Sequence, residues 1–144
     1  MKSLKVLIAA IALNIPAIAA VAADAPARLT IAFTGIETPK GAAMMALYDS
    51  EEGYRSGKPV RGVMIPVNQA DAETLVEGLP AGTYAVKAFH DIDGDGKMTS
   101  NPFGMPLEPY AFSNNAKANG GPASWADAAF TVKAGDTRVS ITIK

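Results

Sequence analysis

The chain has no cysteine, a single histidine and a single tryptophan among its 144 residues. Without cysteine no disulfide can staple the fold, so stability must come from the core or from a bound ion. Ser113 has no second histidine with which to build a nucleophilic triad, and a zinc hydrolase site needs more His or Cys ligands than the chain holds. Clustered positive charge is also missing. The formal net charge is −1 with all 144 residues counted, and −3 once Lys2 and Lys5 are set aside. That balance excludes the electrostatic footprint of a nucleic-acid binder. No long helical apolar stripe with caps is visible. After the first 23 residues, no apolar run is long enough to span a bilayer.

The one long apolar run comes first. Lys2 and Lys5 precede "VLIAAIALNIPAIAAVAA", and the small residues Val21, Ala22 and Ala23 stand before Asp24. Positive, apolar and small in that order reads as a signal peptide over 1–23. A permanent membrane helix is the rival reading, and Pro16 with the short apolar length speaks against it. The expected product is a single domain over 24–144, exported to the periplasm or beyond, with no membrane span left after the signal is removed. A chain of that length can bury ~60–70% of its unfolded surface, enough for a two-layer core.

Period-two alternation dominates the remainder. Leu29, Ile31 and Phe33 share one face; "GAAMMALYDS" is apolar on both faces; Val63, Ile65 and Val67 line one side of "RGVMIPV". "AETLVEGL" leads into the turn "LPAG", where Pro80 presets one angle and Gly82 can take a positive φ. Tyr84, Val86, Ala88 and His90 then align, and "AAFTV" and "TRVSITIK" alternate again. These runs predict an all-β, immunoglobulin-like antiparallel sandwich of about seven strands. One long stretch, 91–124, offers no convincing strand. It is rich in glycine, proline and asparagine, yet Phe103, Tyr110 and Phe112 argue for order. It reads as an ordered excursion over one end of the sandwich, where binding sites gather.

That excursion opens with "HDIDGDGKMTSNPFG". Asp91, Asp93 and Asp95 alternate before Gly96, the start of a calcium-loop pattern, with Lys97 offering a carbonyl and Thr99 the ninth position. The twelfth position holds Pro102, and a strand rather than a helix precedes the loop, so this is no EF-hand. Asn101 and Glu108 are the candidate late ligands for a calcium ion. The other reading is a metal-free polar turn closed by Asp side chains on their own backbone, with Gly94 and Gly96 left-handed. His90 reads either as a base or ligand beside Asp91, or as the end of a core face. Trp125 reads either as a sugar platform or as a core plug.

The strings "LPAGTYAVKAFHDIDGDGKMTSNPFGMPLEPYAFSNNA" and "GPASWADAAFTV" resemble the bacterial family DUF2141, a domain of unknown function. The resemblance is carried by Leu79, Pro80, Gly82, Tyr84 and Ala85; by His90, Asp91, Asp93, Asp95 and Gly96; and by Gly104, Pro106, Glu108, Tyr110, Phe112, Ser113, Asn114 and Asn115. Ala111 replaces the family's usual Gly and Trp125 its usual Phe. The resemblance implies an exported β-sandwich. "LPAGTYAV" is more distantly similar to transthyretin-like and carboxypeptidase-regulatory domains, a likeness of fold alone. The extra histidines and the Tyr-Arg-Gly-Ser ending of the transthyretin-like hydroxyisourate hydrolases are absent. The expectation is a non-catalytic module that binds calcium, a small ligand or an envelope partner through 90–121. Two alternatives stand beside it: a small hydrolase using His90 with Asp91 or Glu108, and an envelope assembly protein pairing through a sheet edge.

Overall fold

The computed structural model describes residues 26–144; the expected signal peptide lies outside them. The strands are β1 (Ala27–Thr34), β2 (Ala42–Tyr48), β3 (Arg61–Pro66), β4 (Ala72–Leu79), β5 (Gly82–Asp91), β6 (Tyr110–Phe112), β7 (Phe130–Val132) and β8 (Asp136–Thr142). Two short helices, α1 (Glu51–Ser56) and α2 (Trp125–Ala128), complete the elements with a 3-10 turn at Ser113–Asn115. The order β4-β1-β8 makes a three-stranded sheet, and β3-β2-β5-β6 with β7 on β5 makes a five-stranded one. The chain is thus an all-β sandwich. Among the described residues no helix is long and apolar enough to cross a membrane.

The alternating residues do what their spacing dictates. Leu29, Ile31 and Phe33 from β1, Met45 and Leu47 from β2, Val86 from β5 and Ile141 from β8 join one buried cluster between the sheets. Burying each large side chain contributes on the order of 1.5–3 kcal/mol. Tyr84, Val86, Ala88 and His90 do share the inward face of β5.

Four expectations need correction. The stretch 91–124, expected to be strandless, contains β6. Three residues are too few for alternation to register, and Pro109 masks the strand's start. One strand pair is parallel rather than antiparallel: β1 runs alongside β8, with Ile31 opposite Val139. Pairing direction leaves no mark on a single sequence. The positive φ falls at Gly78 (71°), not at Gly82. Gly78 is the extra residue of a bulge, since Ala27 faces Leu79 while Arg28 faces Glu77. Tyr84 closes the hairpin instead, its hydroxyl donating to the Pro80 carbonyl at 2.8 Å. Finally, the excursion lies along the outer face of the five-stranded sheet rather than over one end of the sandwich, and its tip residue Phe103 stands 90% exposed.

The short helix α1 is cut from local signals. Ser50 caps it by accepting from the Gly53 N–H at 3.3 Å, Glu51 and Glu52 sit in its first turn, and Gly57 ends it in a left-handed conformation (φ 70°).

Candidate functional site

The aspartate loop grows directly out of the end of β5. Asp91 is buried, and its two carboxylate oxygens accept the N–H groups of Gly94 at 2.8 Å and Gly96 at 2.9 Å. Burial works against the charge, but the Gly96 and Gly94 donors outweigh it and hold this carboxyl below the usual aspartate value. Asp93 accepts from the Asp95 N–H at 3.1 Å, and Asp95 from the Lys97 N–H at 2.7 Å. Gly94 and Gly96 take the left-handed angles such a turn needs (φ 81° and 75°). One carboxylate oxygen from each aspartate lies within 4.8 Å of the others.

The proposed late ligands stand elsewhere. Glu108 does fold back, but across the base of the loop: it accepts from the Ile92 N–H at 2.9 Å and the Thr99 N–H at 3.0 Å, and is itself buried. Asn101 organises the tip instead, its side-chain oxygen accepting from Phe103 and Met105 N–H at 2.9 and 3.0 Å. Lys97 enters the loop's bonding through its backbone N–H. The structure therefore brings Asp91, Asp93 and Asp95 together, while Glu108 and Asn101 each serve a separate backbone segment.

His90 closes the same corner from inside. It is buried, with Nε2 2.7 Å from the Lys40 carbonyl. A carbonyl only accepts, so the proton sits on Nε2. The bond pins the β1–β2 loop to the end of β5, where Gly41 packs so tightly that any Cβ would lie 2.1 Å from the Asp91 carbonyl oxygen. "SNN" is likewise a set of stitches. The fully buried Ser113 hydroxyl donates to Ala128 O at 2.5 Å and accepts from the Val86 N–H at 2.8 Å. Asn114 (φ 58°) donates to Ala129 O at 2.7 Å, and Asn115 (φ 51°) accepts from the Thr142 N–H at 2.8 Å. Asparagine is among the few residues that tolerate such angles.

A groove of about 1190 Å³ lies between the outer sheet face and the excursion. Its floor follows from the strand registers. Met64 on β3 pairs with Met44 on β2, Met44 with Phe89 on β5, and Phe89 with Tyr110 on β6, giving one apolar row across four strands. The next row is Gly62, Ala46, Lys87 and Phe112. Met98, Phe103 and Met105 come from the excursion. Five of the six methionines in the chain line this one space. That concentration was the available sequence signal, and it goes unread because the residues are scattered from 44 to 105.

Beyond the Lys87 row the outer face is closed. Tyr54 of α1 meets Tyr48 edge-on at 5.3 Å and Trp125 at 5.7 Å, and its hydroxyl donates to Ala123 O at 2.9 Å. Burial, with Tyr48 adding to it, pushes the Tyr54 phenol up to about 12. Trp125 packs here as part of a second small cluster. Lys87 lies between the two regions. Its Nζ donates to the Tyr54 carbonyl at 2.6 Å and lies 4.0 Å from the Tyr54 ring centre and 5.1 Å from that of Tyr48. Burial draws its pKa down.

Comparison with known proteins adds a family and nothing more specific. The model of a family described as "Uncharacterized protein conserved in bacteria (DUF2141)" matches residues 31–140, and the chain belongs to that family. No curated protein and no solved structure matches it.

Proposed function

We propose that this DUF2141 protein is an exported, periplasmic or secreted, non-catalytic binding module that receives an apolar ligand on the outer face of its five-stranded sheet. One observation carries the reading: a groove of about 1190 Å³, open to one side, whose floor is a continuous row of Met64, Met44, Phe89 and Tyr110. Ligand sites are concave and mostly apolar, and this groove is somewhat larger than the ~300–1,000 Å³ usual for them. Methionine-rich walls adapt to varied apolar shapes. A non-catalytic role is supported by the commitments of the reactive side chains, since His90 Nε2 and Ser113 Oγ are both spent on backbone partners. In this reading the aspartate loop is a brace that fixes the excursion over the groove.

A second reading, a calcium ion held by Asp91, Asp93 and Asp95, is supported by their convergence within 4.8 Å. We favour the brace, because backbone N–H groups already engage all three carboxylates and both oxygens of Glu108. The test of the main reading is titration of the folded protein with the neutral apolar dye N-phenyl-1-naphthylamine. Saturable binding, lost in Met44→Asp with the fold intact, is the expected result. Failure of the folded protein to bind the dye would overturn it. Millimolar calcium against chelator decides the loop: a brace leaves the melting temperature unchanged, whereas a tight site raises it by mass action.

A further inference from the structure

Lys87 is the one charged side chain in the wall of an otherwise apolar groove. Its ammonium has three donors, of which the Tyr54 carbonyl takes one. The described ion pairs join Arg28, Arg55 and Arg138 to acidic partners, and Lys87 has no carboxylate among the described residues. Two tyrosine faces and a carbonyl thus hold this cation in place without neutralising it. Its position matters as much as its charge. Lys87 stands one row from the Met64–Met44–Phe89–Tyr110 floor, where the covered end of the sheet gives way to the open one. Its row-mates Gly62 and Ala46 are small, and a side chain at Gly62 would meet nothing within 4 Å, so the row that leads across the sheet to Lys87 is open.

We propose that the groove binds a single-chain carboxylate amphiphile, with the acyl chain along the methionine row and the carboxylate on Lys87 Nζ. This inference rests on the apolar-groove reading above and adds the head group to it. A single lysine is a point charge suited to a monoanionic head, whereas a phosphate is better matched by a forked guanidinium. The carboxylate replaces water on the two free ammonium donors, and the bond it makes is charge-assisted in a partly desolvated site.

The test compares laurate with 1-dodecanol, which has the same chain and no charge, by calorimetric titration below micelle-forming concentrations. Wild type is expected to bind laurate about tenfold more tightly than dodecanol, the scale of one charge-assisted hydrogen bond. In Lys87→Met that preference disappears while dodecanol binding remains. Equal affinity for the two ligands in wild type overturns the lysine anchor and leaves the apolar groove standing; this comparison needs no variant to fold. A laurate preference that survives in Lys87→Met also overturns the anchor. Binding of neither ligand overturns the groove reading and this inference together.

Discussion

At one end of the outer sheet face, Tyr54 and Trp125 lie over Tyr48 and Ala85; at the other, Met64, Met44, Phe89 and Tyr110 form a row with only the excursion above them. The two ends belong to the same strands and differ in what the chain supplies to cover them. The covered end receives a capped helix, a buried tyrosine hydroxyl and a tryptophan. The open end receives Phe103 and Met105, which remain 90% and 63% exposed. Large contiguous exposed apolar patches tend to be interaction sites, and the proposed binding face is the end of the sheet that the chain leaves less covered.

The comparison is broken most severely at the covered end. Tyr54→Ala removes two aromatic contacts and a buried hydrogen bond, and should cost about 3 kcal/mol in denaturant unfolding. Met64→Ser at the open end should cost less than about 0.5 kcal/mol, as exposed substitutions do. Equal costs would mean that the two ends are not distinct. Tyr54 also links stability to alkaline pH. Its folded value of about 12 exceeds the ordinary 10.0, so its contribution is complete below pH 10 and vanishes as pH rises toward 12. Tyr54→Phe should therefore show a shallower loss of melting temperature over that interval.

The brace gives an intermediate effect of opposite pH sense. Asp91 is held below its ordinary value of 3.8, so it stabilises the fold at neutral pH and loses that contribution as pH falls below about 4. Asp91→Asn can satisfy only one of the Gly94 and Gly96 donors. It should lower the melting temperature by a few degrees at pH 7 and flatten the acid limb of the stability profile. The smallest stability effect belongs to Phe103→Ser, expected within about 0.5 kcal/mol of wild type, yet it should weaken binding of the naphthylamine dye several-fold. A variant that is neutral for stability and costly for binding sharpens the contrast between the ends.

Most strands of the sandwich were legible because they bury one face, and burial imposes period two on residues such as Leu29, Ile31 and Phe33. β6 was hidden by its three-residue length within a stretch rich in glycine, proline and asparagine, and the parallel β1–β8 pairing by the absence of any local consequence. For α1 the cap at Ser50 and the acidic pair after it were present, but six residues cannot display a helical stripe. Glu108 was singled out as a candidate late ligand, and in the fold its oxygens accept from the N–H groups of Ile92 and Thr99. Sequence shows a carboxylate's availability and not its distance to competing donors. The groove was invisible for a related reason. Its floor unites residues from β3, β2, β5 and β6 that only register brings into one row.

Amide chemical-shift mapping of the labelled protein with 1-dodecanol addresses the open end most directly. The expected result is a contiguous set of shifts at 44, 64, 87–89, 98–105 and 110, with the residues around Tyr54 and the 91–97 loop unchanged. Shifts absent from that row, or gathered instead on the aspartate loop, would contradict the assignment of the binding face.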